Sequence, residues 1–435
     1  MPQHPFSSAV LLLVLMCCGS GEAASTPGES TSNKVELFTP GTVQSTAASG
    51  QTDTTTSLTV SSYFGHSLVD VKGVLVALAV GKYTGSSGNG DADAGIWAKY
   101  KTYGTGRNVG QGVAEQVQQW GTQQLVSKEL KEEDPHAPPF GPKALVKDNK
   151  IFLLVSSVSS TGASSQSGAD RGLALIVGSA GTAEATQQVT WENPQSLKTT
   201  LDAQMQKNSW EEVEPAPGAR GVVVGGNTIL FPLVATGDPV DAEEEIRACT
   251  VMYSDDNGSS WNFPAAPVRP KDCDSVTLLE WAGKVFMATS VSPSWQRRVY
   301  ESSDKGKTWK EAAGSFARLL SQSGVLPMLY GPVELTTATV ADKRVLLFTQ
   351  MSSSRTAPGD NGGRGTFRRV IHLWLSDGAR THDVGPISAD DAGEALFSSL
   401  LYTNDELFAL YAKVGESGSS QSLVFCAPPQ SSCRA

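Results

Sequence analysis

The stretch "VYESSDKGKTWKEA", Val299–Ala312, ends a run of strand-forming residues in the order Ser-x-Asp-x-Gly-x-Thr-Trp. The same order occurs earlier in the chain in "VMYSDDNGSSWNFP", Val251–Pro264. A pattern that recurs at this spacing indicates a repeated supersecondary unit. The matching positions are Ser254, Asp256, Gly258, Ser260 and Trp261 in the first copy and Ser302, Asp304, Gly306, Thr308 and Trp309 in the second.

Turn chemistry explains the order of residues within each copy. The Asp side chain caps backbone N–H groups, and Gly supplies a positive φ without steric cost. The hydroxyls hold the turn together, and the Trp packs its apolar face under the hairpin. Asp256 and Asp304 are therefore predicted to be structural rather than catalytic. This element is the Asp box of sialidase-type β-propellers, and two copies predict that fold without settling function.

Composition and charge exclude several classes of function. The chain has 435 residues, a net charge of −10 and a pI of about 5.1, which argues against nucleic acid or a polybasic membrane surface as partner. Its 43 glycines and 18% charged residues are typical of many short strands joined by turns. No HExxH-type or Cys-x-x-Cys pattern occurs, so the sequence predicts no metal and no cofactor.

The N-terminal stretch "SSAVLLLVLMCCGSGEAAS" has an apolar run at Ala9–Cys18 followed by small residues. It predicts a signal peptide at 1–24, although no Lys or Arg precedes the run; a buried strand is the alternative. We therefore expect a secreted or cell-surface protein with no transmembrane segment and no visible anchor signal. The remaining chain is divided into a Ser/Thr-rich lead-in with one docked strand "VELF" (25–62), a propeller (63–426) and a short tail (427–435).

Loss of the signal peptide would leave four cysteines, Cys249, Cys273, Cys426 and Cys433, which allow three pairings. The simplest hypothesis joins Cys249 to Cys273. These two residues flank the first Asp-box hairpin, and a bridge between them would close a loop of stabilising length.

Further motifs extend the similarity beyond the Asp boxes. They are "VKGVLVALAVGKY", "LVKDNKIFLLV", "TWENPQSLK", "CDSVTLLEWAGKV", "RRVYESSDKGKTWKEA", "HLWLSD", "DVGPIS" and "SSLLYTNDELFAL". From Val35 to Phe425 the chain resembles the trypanosomal trans-sialidase superfamily. The resemblance implies a six-bladed all-β propeller. Active members hydrolyse or transfer α-linked sialic acid, whereas inactive relatives act as adhesins or surface antigens. The lectin-like domain that normally follows the propeller is expected to be absent.

The resemblance also implies a set of site positions. Active members bind the sialic acid carboxylate with three arginines, and use a Glu-activated Tyr nucleophile and an Asp acid/base. In this sequence the acid/base, Glu and Tyr positions hold Val80, Ser275 and Phe397. The three arginine positions hold Phe64, Ser290 (the closest residue) and Arg368, which is retained. Neighbouring ligand-binding positions hold Lys82, Gly141 and Thr366 in place of Arg, Asp and Trp.

These departures predict an exported trans-sialidase-like protein without catalytic activity that binds host glycans or host surface proteins, or serves as an antigen. An active exo-α-sialidase or trans-sialidase is the first alternative, and a truncated relic without a stable fold is the second. If the residue correspondence is right, five positions should converge at one face near the propeller axis: Phe64, Val80, Ser275, Arg368 and Phe397.

Overall fold

A computed structural model gives the structure of sixteen segments of the chain: residues 34–45, 56–84, 92–103, 120–130, 142–158, 171–181, 189–217, 220–237, 246–268, 273–291, 296–321, 334–340, 342–355, 367–388, 393–415 and 420–427. The predicted signal peptide, Gly141 and Thr366 lie outside these segments. Within them, no helix is both long and apolar enough to cross a bilayer.

Six antiparallel sheets form the blades of a β-propeller, which confirms the predicted fold class. The first blade contains β2 (Gly41–Ser45), β3 (Thr56–Val71), β4 (Val74–Tyr83), β5 (Ala92–Thr102) and β6 (Gly121–Leu130). The second contains β7 (Lys143–Lys147), β8 (Lys150–Val158), β9 (Arg171–Ala180), β10 (Val189–Trp191) and β11 (Gln195–Ser196).

The third and fourth blades carry the Asp-box hairpins. The third contains β12 (Glu212–Pro215), β13 (Val222–Val224), β14 (Thr228–Gly237) and β15 (Ile246–Ser254). The fourth contains β16 (Ser275–Trp281), β17 (Lys284–Val291), β18 (Gln296–Ser302) and β19 (Lys310–Glu311). Two helices, α1 (Lys198–Asn208) and α2 (Ser315–Ser321), follow β11 and β19.

The last two blades complete the ring. The fifth contains β20 (Glu334–Val340), β21 (Lys343–Arg355), β22 (Phe367–Ser376) and β23 (Thr381–Pro386). The sixth contains β24 (Glu394–Thr403), β25 (Glu406–Val414), β26 (Gln421–Cys426) and, as its outermost strand, β1 (Lys34–Phe38). β1 therefore closes the ring by pairing with β26, the last strand of the described residues, with Val35 opposite Phe425.

The lead-in contributes more strands than the sequence predicts. It carries β1, β2 and the first residues of β3, whereas one docked strand is predicted for residues 25–62. β2 pairs with the start of β3, with Gly41 opposite Val60. Its sequence "GTVQS" has a single apolar residue, so the usual signals for a strand are missing.

Neighbouring blades pack face to face, and this burial explains the apolar strand sequences. In β4, "VLVALAVGKY", every residue except Lys82 is buried. Leu75, Ala77 and Leu78 have no exposed surface, because sheets on both sides cover the strand. Continuous apolar runs of this kind are therefore the signature of central blade strands.

The inner strands of the blades surround the propeller axis. β3 contacts β7 and β24, β16 contacts β13 and β20, and β20 contacts β24. The blades follow one another by rotation, so these inner strands run in the same direction and begin at the same face. We call this face, where Ser275 and Glu334 begin their strands, the axial face.

Each Asp box is a closed network of hydrogen bonds. Ser302 Oγ donates to Asp304 Oδ1 (2.8 Å), and Asp304 Oδ1 also accepts a hydrogen bond from Thr308 N (2.9 Å). Gly306 has φ +88° and donates its N–H to Ser302 Oγ (2.8 Å). The copy at Ser254 and Asp256 repeats the network. Hydrogen bonds from Ser260 and Ser254 lower the pKa of Asp256 to about 2, so the turn uses the charged carboxylate.

Cys249 and Cys273 form a disulfide with a Cα–Cα distance of 5.7 Å, which confirms the predicted pair. Both residues are fully buried, in β15 and just before β16. Because they are 24 residues apart, replacing both with Ala should lower the free energy of unfolding by about 3 kcal/mol. Urea denaturation, with and without dithiothreitol, measures the effect. Equal midpoints for the oxidised, reduced and double-Ala proteins would contradict this prediction.

Candidate functional site

The predicted acid/base position lies beside an irregularity in the first blade. Phe64 of β3 pairs directly with Val80 of β4. The register then shifts between Phe64 and Ser67, and Gly65 takes φ +53°. Such bulges redirect side chains near functional sites. Val80 is only 4% exposed and Phe64 is half-buried, so two apolar side chains occupy positions where the family resemblance implies Asp and Arg.

The fourth blade brings three further residues into one row. Ser275 pairs with Ser290, and Ser290 pairs with Arg297 on β18. The two serine hydroxyls are hydrogen-bonded to each other. Burial lowers the pKa of Arg297 to about 10. Sequence reasoning missed Arg297; its place opposite Ser290 becomes visible only from the strand register.

Phe397 occupies the predicted nucleophile position at a second bulge. The register of β24 against β25 shifts between Leu396 and Ser398, and Phe397 takes φ +41°. A positive φ in a bulky residue is a genuine outlier, and such strain concentrates at functional sites. Thr349 and Ser398 share a hydrogen bond between their hydroxyls (2.6 Å), which ties the fifth blade to the residue after Phe397. The Phe397 side chain is 47% exposed, the only large apolar side chain in the described segments with such exposure.

The retained arginine lies on the fifth blade. Arg368 is half-buried near the start of β22, opposite Ser354 of β21. Lys82 is exposed near the end of β4, opposite Ser62. The other predicted ligand positions, Gly141 and Thr366, lie outside the described residues.

The convergence of the five predicted residues stays a prediction, and strand direction relates three of them to the axial face. β3, β16 and β24 begin at the axial face; Ser275 is the first residue of β16, Phe397 lies in the first half of β24, and Phe64 lies near the middle of β3. The backbone N–H of Leu68 donates to the side-chain hydroxyl oxygen Ser399 Oγ (3.1 Å), which fixes β3 against β24. The structure pairs Phe64 with Val80 and Ser275 with Ser290, and it puts Arg368 on the third strand of its blade.

A group of charged residues lies where inner strands begin, and sequence reasoning missed it. Glu334, the first residue of β20, is 6% exposed. Arg220 Nε lies 4.0 Å from Glu334 Oε1, and Arg220 Nη1 donates to the Leu400 carbonyl (2.6 Å). Burial raises the pKa of Glu334 to about 7, although the positive charges of Arg220 and Lys143 oppose this rise. These contacts join the third, fifth and sixth blades at the axis.

Two more residues extend this group toward the first blade. Lys143 begins β7 and His66 lies in the β3 bulge, and both are 9% exposed. The residues that follow them are joined, since Ala144 N donates to Ser67 Oγ (3.3 Å). Burial lowers the pKa of Lys143; burial and the nearby ammonium lower the pKa of His66 to about 3. We call His66, Lys143, Arg220 and Glu334 the axial cluster.

The shifted pKa of Glu334 makes a testable contribution to stability. The pKa of Glu334 is higher in the folded protein (about 7) than the ordinary 4.5. Its contribution to the free energy of unfolding is therefore fully present below about pH 4.5 and is lost as the pH rises through about 7. His66 has the opposite trend between about pH 3 and 6.5, because its folded pKa is lowered. The difference between wild type and Glu334→Gln isolates the carboxyl group.

We expect the free energy of unfolding of wild type, minus that of Glu334→Gln, to fall between about pH 4.5 and 7. Urea denaturation across this range provides the measurement. His66→Gln serves as the matched control. In a protein that carries His66→Gln, adding Glu334→Gln should change the free energy of unfolding with the same pH dependence. A difference that is flat or rises with pH would show that Glu334 keeps an ordinary pKa.

Together, the fold and this site define an Asp-box β-propeller with apolar or hydroxyl side chains at the three positions that the resemblance assigns to catalysis. Comparison with known proteins gives the family. Residues 66–412 match the BNR repeat-like domain. A Trypanosoma cruzi sialidase is 32% identical over 278 residues, which are 62% of this chain and 22% of the relative. Sialidase 85-1.1 of Trypanosoma cruzi is 27% identical over 93% of this chain and 52% of its own length.

Solved structures agree with these relatives. Trypanosoma rangeli sialidase has a TM-score of 0.66 and 27% identity, covering 94% of this chain and 60% of that protein. Its complex with the inhibitor DANA has a TM-score of 0.65 and 26% identity, covering 92% and 60%. The chain thus spans about half, or less, of the length of the curated relatives it matches. It belongs to the BNR repeat-like family and, within it, to the trypanosomal sialidase/trans-sialidase superfamily.

Proposed function

We propose that this protein is an exported, non-catalytic member of the superfamily that binds host glycans at the axial face. The observation that carries the proposal is Phe397. Its side chain is 47% exposed at the position that the resemblance assigns to the nucleophile, and it has no oxygen with which to attack. An exposed aromatic ring is a platform for the apolar face of a sugar.

The other residues of the site support binding without cleavage. Val80 cannot donate a proton, and the Ser275 hydroxyl is bonded to Ser290. Arg368 and Arg297 remain as cationic side chains that suit an acidic sugar or another anionic group. The alternative, an active sialidase or trans-sialidase, would need other groups to act as acid and nucleophile.

A glycan array with purified protein tests the proposal. Wild type should bind a defined set of glycans, and Phe397→Ala should lose most of that binding because the exposed ring is gone. Phe397→Tyr is the matched variant, since it keeps the ring and the same backbone strain, and it should bind like wild type. A cooperative thermal transition, measured first, excludes a relic without a stable fold.

Two results would contradict this function. Wild type could bind no glycan on an array that an active superfamily member recognises. Alternatively, Phe397→Ala could bind as well as wild type, which would place any binding surface away from the axial face. A host surface protein would then be the next class of ligand to examine.

A further inference from the structure

The first Asp box carries an Asn-Gly-Ser sequence at positions that the turn leaves free. The hydrogen-bond network of the turn joins the first, third, fifth and seventh residues of the motif. Asn257 and Ser259 are the fourth and sixth residues, and the second Asp box has Lys305 and Lys307 there. A left-handed backbone does not require Asn at the fourth position either, since φ is +59° at Asn257 and +63° at Lys305. The turn therefore accounts for neither Asn257 nor Ser259.

The sequence Asn257-Gly-Ser matches the acceptor pattern for N-linked glycosylation, Asn-x-Ser/Thr with x other than Pro. It is the one match in the chain. An oligosaccharide is bulky and polar, so an occupied acceptor has to lie on the surface of the folded protein. Asn257 and Ser259 are both exposed, as are the flanking residues Asp256 and Ser260.

A contact with the second blade orients the Asn257 amide. Lys147 Nζ donates to Asn257 Oδ1. Because an ammonium can only donate, this contact identifies the oxygen of the planar amide, and Nδ2 is turned away from Lys147. Lys147 is only 7% exposed, so it marks the packed side of the turn. Gly258 lies on that side too, since a Cβ atom there would be 2.5 Å from Phe152 Cε1.

We propose that Asn257 carries an N-linked oligosaccharide when the chain passes through a secretory pathway. Nδ2 forms a bond to the anomeric carbon of a lipid-linked oligosaccharide and loses one proton. The bond from that carbon to the pyrophosphate oxygen breaks, and the lipid pyrophosphate leaves with the electron pair. Oδ1 is still an acceptor in the product, so the contact with Lys147 is retained. The inference rests on export, which is part of the proposed function.

The modified turn lies away from the axial face. Within the third blade, β13 and β15 both pair antiparallel with β14, so β15 starts at the axial face and ends at the opposite one. The Asp box follows the last residue of β15, Ser254. The oligosaccharide therefore extends from the opposite face and leaves the surface around Phe397 open. Asn257→Gln should bind the glycan array like wild type, and a loss of binding would contradict this placement.

Secretion of the full chain from eukaryotic cells tests the proposal. The chain is expressed with its own N-terminus and, separately, with residues 1–24 replaced by an established signal peptide. Peptide N-glycosidase F should increase the electrophoretic mobility of the secreted protein, and tandem mass spectrometry of the untreated protein should find the oligosaccharide on Asn257. An unmodified Asn257 in the protein secreted by the established signal peptide would overturn the proposal. Glycosylation in that form alone would support the site and contradict export by the native N-terminus.

Substitutions at neighbouring positions separate the acceptor sequence from the turn. Asn257→Gln and Ser259→Ala should each abolish the mobility shift. Ser260→Ala is the matched control, because it removes a hydrogen bond to Asp256 Oδ2 (2.6 Å) and keeps the Asn-Gly-Ser sequence. Secreted Ser260→Ala should therefore remain glycosylated. A mobility shift that survives Asn257→Gln would contradict the assignment to this residue.

The second Asp box allows the site to be transplanted. In a protein that carries Asn257→Gln, the pair Lys305→Asn and Lys307→Ser creates Asn-Gly-Ser at the equivalent positions. One oligosaccharide should return, because the two turns share the same hydrogen-bond network. A transplanted protein that is secreted without an oligosaccharide would contradict the argument that the tip of an Asp box is open to modification.

Discussion

Purified protein is expected to leave a fluorogenic α-sialoside intact under conditions in which an active superfamily member hydrolyses it completely. The resemblance assigns the nucleophile position to Phe397, the acid/base position to Val80 and the activating position to Ser275. General acid/base catalysis alone contributes roughly 10²–10⁴ in rate, and an absent nucleophile removes the covalent route as well. Transfer of sialic acid to a β-galactoside acceptor should be absent for the same reason.

Single substitutions should not restore activity. Phe397→Tyr returns the phenol, but Val80 and Ser275 still supply neither an acid nor a base. We therefore expect Phe397→Tyr to remain inactive while it folds and melts like wild type. Measurable hydrolysis by wild type would contradict the correspondence of all three positions. An alignment error at one strand could not by itself supply the missing residues on three strands.

Loss of the half-buried Arg220 is expected to have the largest effect on stability. Arg220→Met leaves Glu334 without its nearest cation and the Leu400 carbonyl without its donor. Removing one partner from a buried ion pair costs about 3–5 kcal/mol. The loss should appear in urea denaturation at about pH 8, where Glu334 is mostly ionised, and shrink at about pH 5, where the proton neutralises the carboxyl group.

The chain offers a matched control on its surface. Arg369 Nη2 lies 2.9 Å from Glu394 Oε2, and the two side chains are 51% and 35% exposed. Arg369→Met should therefore cost no more than about 1 kcal/mol. Arg220→Met combined with Glu334→Leu should recover part of the loss, since it removes the unpaired carboxylate as well. Equal effects of Arg220→Met and Arg369→Met on the free energy of unfolding would show that the pair of Arg220 and Glu334 stabilises the protein no more than a surface ion pair does.

Much of the fold could be predicted from local sequence. The Asp boxes require a specific turn, so five residues identify a hairpin, and the apolar runs identify the central blade strands. The disulfide between Cys249 and Cys273 was also accessible, because the two residues flank one hairpin. In each case the decisive contacts join residues that are close in sequence.

The axial cluster was not accessible in the same way. Lys143 and Glu334 stand at the first positions of their strands, where a charged residue usually marks a solvated strand end. Their burial comes from packing around the axis, which joins residues as far apart as Arg220 and Leu400, separated by 180 positions. Arg297 was missed for a similar reason, since its neighbour Ser290 is known only once the strand register is fixed.

The pairing of β1 with β26 affects the order in which the blades can form during synthesis. Val35 of β1 lies opposite Phe425 of β26, and Lys413 Nζ of the neighbouring β25 donates to Glu36 Oε1 (2.6 Å) across 377 positions, so the first described strand must wait for the last two. Contacts of such long range form slowly, and a waiting strand with open backbone groups is prone to pair with other chains. On the ribosome, the sixth blade is therefore the last to assemble, and the nascent ring remains open and vulnerable until it does.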